Sequence, residues 1–327
     1  MTVEIFAVLL IATLAVSALA GPWLLRHAAP ALVRFPRVAV ALLMGSVLAW
    51  VLTTLALGPL LAWAISGPAV LPDHAAQVCQ RCLAAANPFG TTPVDTAVPV
   101  LALLIPSAIG AGLLAASITV EALRRHRSTA DTARRLQRTA DSRVVLGQRV
   151  LVTLDPHPFA LTLPTRHGGI VVSTGALQVL AGDELTAVLA HEQAHLHQRH
   201  HLITTAISSV ARHLRWVPLI AAAETALAHY LEIAADDVAC RRVGTPALAA
   251  ALLTLGEHAH DDGKHSAHLD GALHMLGPDR IRHLVQPRKG ISGVLPALIA
   301  TSYLTVLMVL ATTVHVPYLI AAATGCA

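Results

Sequence analysis

The chain has 327 residues, of which 55% are hydrophobic and only 13% charged, and its mean hydropathy is +0.63. A soluble domain of this length carries about twice that charge, and the apolar residues here are clustered, so the composition reads as that of a membrane protein. The formal net charge is +4, but the basic residues sit beside apolar runs and aromatic residues make up only 3%; this fits topology signals and anionic headgroups and speaks against a nucleic-acid partner.

The first apolar run covers about 3–25, "VEIFAVLLIATLAVSALAGPWLL". Its "ALA" at 18–20 resembles a signal-peptidase site, but the basic n-region of a signal peptide is missing, the start of the run offering only Glu4, and it therefore reads as a span. The first basic residues, Arg26, Arg34 and Arg37, follow it, which puts the N-terminus outside and 26–37 in the cytoplasm. A second run covers about 38–66, with Gly58-Pro59 as a candidate kink. A Pro-rich polar segment at 67–96 carries "CQRC", and a third run follows at 97–120. The last run lies within 292–323.

Four crossings leave 67–96 and both termini outside and place 121–290 in the cytoplasm. The charges agree: eight arginines lie between 124 and 149, and Arg280, Arg282, Arg288 and Lys289 precede the last run, whereas the outer loop holds only Arg81. The expected organisation is three transmembrane helices in 1–120, a cytoplasmic domain in 121–290, and a fourth transmembrane helix with a short outer tail in 291–327. Cys79 and Cys82 would face the oxidising side and are candidates for a local disulfide, one of them alternatively pairing with Cys326. Cys240 reads as a small apolar residue on the cytoplasmic side.

Within 121–290, residues 121–140 predict a basic helix continuing from the membrane. Residues 150–163 and 168–174 ("GGIVVST") predict short strands. Gly182-Asp183-Glu184 opens a helix with Asp183 as the expected N-cap. Residues 202–223 are apolar but interrupted by Arg212, His213, Arg215 and Pro218, which predicts a buried or interfacial helical hairpin. A helix over 220–242 stops at Gly244-Thr245-Pro246, and 257–274, with five histidines, predicts a mobile polar loop.

The helix from 182 contains "AVLAHEQAHLHQRHH" at 187–201, and within it His191-Glu192-Gln193-Ala194-His195 is an HExxH motif. Residues four apart share one helix face, so both imidazoles can reach one Zn2+ while Glu192 flanks a water as its base. With 19 histidines in the chain the short motif has some chance of arising without function, but it lies behind apolar "TAVLA" and a strand-like segment. A zinc hydrolase needs a third protein ligand. Glu232 in "YLEIAADDVAC" is the best candidate, with Asp236 one turn on as a carboxylate able to orient a ligand imidazole. His201, at the third-histidine position of an extended motif that has Gln198 where glycine is needed, and Glu224 are weaker rivals. His197, His200 and His201 otherwise read as solvent- or headgroup-facing.

"GGIVVSTGALQVLAGDELTAVLAHEQAHLHQRHH" followed by "LEIAADDVAC" resembles the gluzincin-type membrane metallopeptidases, in both the HtpX/CAAX-protease group and the BlaR/MecR group. The order of spans is similar to that of the BlaR/MecR-type antirepressor peptidases. The resemblance implies a mostly α, polytopic membrane protein with four transmembrane helices and a cytoplasmic α+β, gluzincin-like zinc metallopeptidase domain. It also implies one Zn2+ per chain on His191, His195 and Glu232, Glu192 as catalytic base and Asp236 in support. "GGIVVST" would be the edge strand that holds substrate backbone, and "GPDRIRHL" would bring Arg280 or Arg282 to the substrate or transition state. The implied partners are membrane lipids and a protein substrate, with a cytoplasmic transcriptional repressor as the candidate. The penicillin-binding sensor domain and the S-x-x-K motif of the β-lactam-sensing members are not found, so direct β-lactam sensing by this chain is not expected. Two other functions compete: HtpX-like proteolysis of damaged membrane proteins, and a non-proteolytic receptor or scaffold with a vestigial zinc site.

Overall fold

The computed structural model describes residues 3–66, 100–261 and 293–324. Among the described residues, three helices are long and apolar enough to cross a membrane, at Val8–Leu32, Pro36–Gly58 and Ile105–Leu136. The first two lie in α1 (Val3–Leu32) and α2 (Pro36–Ser66), joined by a turn so short that the helices must run antiparallel. The first run is thus longer than its sequence pattern predicts, because the helix carries on through Arg26 and His27 to Leu32. The third lies in α3 (Val100–Thr139), which continues without a break from its apolar first half into its basic second half, as expected for 121–140. The last predicted run falls in α9 (Val294–Thr324), whose apolar stretch among the described residues, Val294–Val309, is shorter than the other three.

The membrane helices are tied by a few polar contacts across their faces. Trp50 Nε1 donates to Leu14 O (3.1 Å) and Tyr303 Oη to Thr13 O (3.1 Å). Their outward faces are apolar and exposed, as Val16, Leu113 and Leu295 illustrate. Such surface suits lipid and would be costly in water.

Between α3 and the HExxH helix lies a four-stranded sheet in the order β1-β2-β4-β3, made of β1 (Ala140–Val145), β2 (Gln148–Thr153), β3 (Ala160–Thr162) and β4 (Ile170–Ser173). β1 and β2 form a hairpin absent from the sequence prediction. Its two-residue loop puts Leu146 and Gly147 both at positive φ, the pattern whose twist matches that of the strands. β2 and β4 pair in parallel, and β3 returns antiparallel to β4. Within "GGIVVST", Ile170–Ser173 is therefore an interior strand, fully buried and paired on both sides, and the expectation that the segment forms the edge is corrected. The edge is β3, because the chain between β2 and β4 folds back to pair on β4's outer side.

A short helix α4 (Thr174–Val179) fixes that return. The Ser173 hydroxyl accepts from Ala176 N and Phe159 N (both 3.0 Å), and Gly175 N donates to Asp155 O (2.9 Å). The approach is so close that a Cβ on Gly175 would lie 2.1 Å from Pro156 O.

Four helices complete the described domain: α5 (Gly182–His197), α6 (His200–Leu214), α7 (Pro218–Val243) and α8 (Thr245–Asp261). The N-cap of α5 is Ala181, not the expected Asp183; Glu184 reaches back to accept from Ala181 N (3.0 Å), and Asp183 lies inside the first turn. α6 and the start of α7 form the hairpin predicted within 202–223, but its second arm is continuous with the predicted 220–242 helix; Gly244 (φ 91°) closes α7 as predicted. α8 runs on to Asp261, so the first part of the predicted 257–274 loop is helical, while the rest lies outside the described residues.

There are two principal cores. Leu189, Val172 and their neighbours pack the sheet against α5. The other core unites α1 and α2 with α6 and the first half of α7 through Leu43, Ile207, Ile220 and Leu227. The catalytic-type domain is thereby built into the membrane bundle rather than hung from it.

Candidate active site

α5 presents His191, Glu192 and His195, and α7 presents Glu232 and Asp236. The two helices approach closely because their facing positions are small: Ala187, Ala190 and Ala194 on α5, and Ala235 and Ala239 on α7, are all buried. His191, His195 and Glu232 each direct one ligand atom to a common point. The two Nε2 atoms are 3.0 Å apart, and the Glu232 carboxylate oxygens lie 3.4 Å from each of them. Zinc bonds of about 2.0–2.1 Å at tetrahedral angles put neighbouring ligand atoms about 3.3–3.4 Å apart, so the spacing fits that ion.

The far sides of the rings show why both Nε2 atoms can be bare. Asp236, only 2% exposed, places Oδ1 2.9 Å from His191 Nδ1 and accepts a hydrogen bond from it. His195 Nδ1 lies 2.9 Å from Nδ1 of His200, whose Nε2 is 3.3 Å from the Gln198 amide oxygen. Burial, with the His195 ring beside it, pushes His200 down to about 3, so it is neutral. Its one proton then goes to Gln198 from Nε2, and its Nδ1 accepts from His195. Both inward nitrogens are left as lone pairs facing each other and a carboxylate, an arrangement that a cation satisfies.

His200 corrects the sequence expectation that it faces solvent or headgroups: it is 4% exposed and meets the His195 ring. The cause is local. α5 ends at Gln198, and Arg199 adopts a left-handed φ of 52°, so the chain turns sharply and sends His200 back beneath His195. The helix thus breaks where the extended motif would have glycine, yet His201 stays outside the ligand cluster and is exposed, as is His197. Glu224 is also excluded: it pairs with Arg215 (2.8 Å), away from the cluster.

Glu192 stands on the side facing β3. The Thr162 hydroxyl touches its Oε2 and lies 3.0 Å from its main-chain oxygen. Thr162 gives no signal in the sequence, since only the sheet order brings it here. On the outer face Gln193 accepts from Arg242 (2.9 Å), a further tie between α5 and α7. A cleft of about 550 Å³ opens over the cluster between β3, α5, α6, α8 and the basic part of α3, with Arg125, Phe159, Leu161, Thr204 and Leu252 on its walls. Cys240 lies half-buried nearby, and burial raises its thiol. Arg280, Arg282, Cys79, Cys82 and Cys326 lie outside the described residues.

A buried His-His-Glu cluster, a glutamate on its open side and an adjoining edge strand define a metallopeptidase type of site beside membrane-length helices. Comparison with known proteins agrees with that class. Residues 121–256, which contain every member of the site, match the family model of Peptidase family M48. Three curated relatives, each named a Protease HtpX homolog, are similar over short stretches. The protein of Thermodesulfovibrio yellowstonii is 38% identical over 56 residues, 17% of this chain and 20% of the relative. That of Caldanaerobacter subterraneus subsp. tengcongensis is 38% identical over 65 residues, 19% of this chain and 22% of the relative. That of Thermoanaerobacter pseudethanolicus is 38% identical over 56 residues, 17% and 19% of the two chains. Each match thus spans about a fifth of the relative's length. No solved structure matches the chain.

Proposed function

We propose that this chain is a membrane-embedded zinc endopeptidase in which His191, His195 and Glu232 hold the metal and Glu192 is the catalytic base. The observation that carries this reading is the convergence of two imidazole lone pairs and a carboxylate, with Glu192 beside them. A bound Zn2+ lowers the pKa of its water to about 7, which makes a nucleophile available at neutral pH. Glu192 takes the water's proton and returns it to the departing amine, while the Thr162 hydroxyl fixes the carboxylate's orientation. Asp236 and His200 keep the ligand rings turned inward.

β3 supplies the substrate's track. Phe159 O accepts from Ser173 N and Leu163 N donates to Gly169 O, so alternation along the strand turns the main-chain groups of Ala160 and Thr162 away from β4. A substrate in extended form adds to that edge with its scissile bond beside Glu192. Four crossings, with both termini outside and the site in the cytoplasm, follow from the arginines after the third run and before the fourth.

Two substrate classes fit. The span order favours a single soluble repressor, and the short stretches similar to HtpX homologues support membrane-protein proteolysis at least as well. Glu192→Gln tests the core reading: zinc stays stoichiometric and cleavage disappears, and undiminished cleavage would refute the assigned base. Comparing protein fragments in cells with the native chain and with this variant separates the substrate classes, since one soluble fragment indicates a repressor and many membrane fragments indicate quality control. A receptor with a vestigial site would need neither Glu192 nor the Thr162 contact that orients it.

A further inference from the structure

The α6–α7 hairpin points its closed end toward the membrane. At the open end, Thr204 and Thr205 of α6 line the cleft together with Ser128 and Thr129 of α3. At the closed end, Arg212 pairs with Glu121 (2.7 Å), which precedes Arg124, Arg125 and Arg127 in α3. α6 therefore runs antiparallel to α3 and passes its basic segment on the way to its apolar one. α1 gives the same level independently: Leu219, at the start of α7, packs so closely on Gly21 that a Cβ there would lie 2.5 Å from Leu219 Cδ1. Gly21 lies five residues before Arg26, about 7–8 Å further into the apolar side of α1. Between these two marks is the turn with Trp216, which is 77% exposed.

We propose that this turn inserts at the boundary between headgroups and acyl chains of the leaflet facing the basic ends of α1 and α3, with Trp216 in lipid. An indole with one apolar body and one N–H favours that boundary, and its exposure is otherwise costly. The charges around it suit the same level. Arg212 and Arg215 are paired with Glu121 and Glu224, and their long stems reach the phosphates. The surface is also continuous with the exposed apolar belt of α1, where Trp23 lies two residues beyond Gly21.

The proposal rests on the membrane reading of α1–α3 and not on peptide hydrolysis. Its test uses the full chain in vesicles of phosphatidylcholine and phosphatidylglycerol, with or without brominated acyl chains. The emission of Trp216 is the difference between the native protein and Trp216→Phe, or Trp216→Tyr if the first variant does not fold. Trp23→Phe gives the same difference for α1. Trp216 emission is expected to be blue-shifted, to lose most of its intensity in brominated lipid and to resist iodide on both sides of the bilayer. Quenching of Trp23 together with red-shifted, iodide-sensitive Trp216 emission overturns the proposal alone. Quenching of neither overturns the span assignment and the proposal with it.

Discussion

The two halves of α7 are one unbroken helix in two environments. Its first half, up to Leu231, buries Leu219, Ile220, Ala223 and Leu227 in a core shared with α1 and α2. Its second half begins at Glu232 and turns Ala235, Asp236 and Ala239 toward α5 and α8. In the proposed reading the apolar half anchors and the polar half carries the chemistry, and the helix runs unbroken between them. Glu232, the proposed ligand, sits on the same rigid rod as the packed half, thirteen residues from Leu219, about 20 Å along the axis. The cleft is thereby held within reach of segments emerging from the bilayer, which both proposed substrate classes accommodate.

The comparison is broken most completely by exchanging one carboxylate in each half. Glu232→Gln removes the anionic ligand, so the purified protein should fail to retain stoichiometric zinc and cleavage should fall below detection. Glu224→Gln, two turns earlier on the same helix, touches only the pair with Arg215 and should leave both properties near native. Zinc analysis and a cleavage assay on the two variants decide it; equal losses would mean that the halves are not functionally distinct.

Packing gives the next largest effect. Leu227 is fully buried in the membrane-helix core and Leu248 is 1% exposed behind the ligand helices. Truncating either to alanine should cost about 2–5 kcal/mol of stability, read from unfolding in detergent. Only Leu248→Ala, whose side chain also lines the cleft, should alter the rate per folded molecule. A matching change in Leu227→Ala would show that strain passes along α7.

Within the polar half, Asp236→Asn keeps the shape and an acceptor for His191 Nδ1 but loses the charge. Zinc affinity should weaken about 10–100-fold, measured by competition with a chelating dye, while the fold is unchanged. His200→Ala acts on the other ring through a neutral partner and should weaken binding by less. The reverse order would mean that the Gln198–His200 chain, not the buried carboxylate, is the main support.

These residues also mark what could be read in advance. His191, Glu192, His195, Glu232 and Asp236 were legible because helix spacing of three to four residues is a local property and the surrounding alanines and leucines made the polar positions conspicuous. The three helices long and apolar enough to cross a membrane were legible from the clustering of apolar residues. His200 was not, because its burial depends on one left-handed residue, Arg199, and non-glycine residues rarely adopt that conformation. The edge strand was misassigned because strand order is a long-range property: "GGIVVST" and "ALT" both look like short strands, and only the fold-back from Thr153 to Ala160 decides which is outermost. The same holds for the tip of the α6–α7 hairpin, whose depth is fixed by Gly21 and Glu121, far away in sequence.

Thr162 is the smallest of the expected effects and the one that separates orientation from metal binding. Its hydroxyl meets the Glu192 carboxylate from the edge strand, and Thr162 is not a member of the His191-His195-Glu232 cluster. Thr162→Val keeps the volume and the β-branched fit to the strand but removes the donor. A hydrogen bond of this kind contributes on the order of 1 kcal/mol, so kcat should fall roughly fivefold to tenfold. Zinc affinity should be native, and Thr162→Ser should recover much of the rate because the donor returns. KM should move little, since the main-chain groups of residue 162 that would pair with substrate are unchanged. A loss of zinc in Thr162→Val would place this hydroxyl in metal support and merge two roles that the proposal keeps apart: α7 and Asp236 for the metal, β3 and Thr162 for the base.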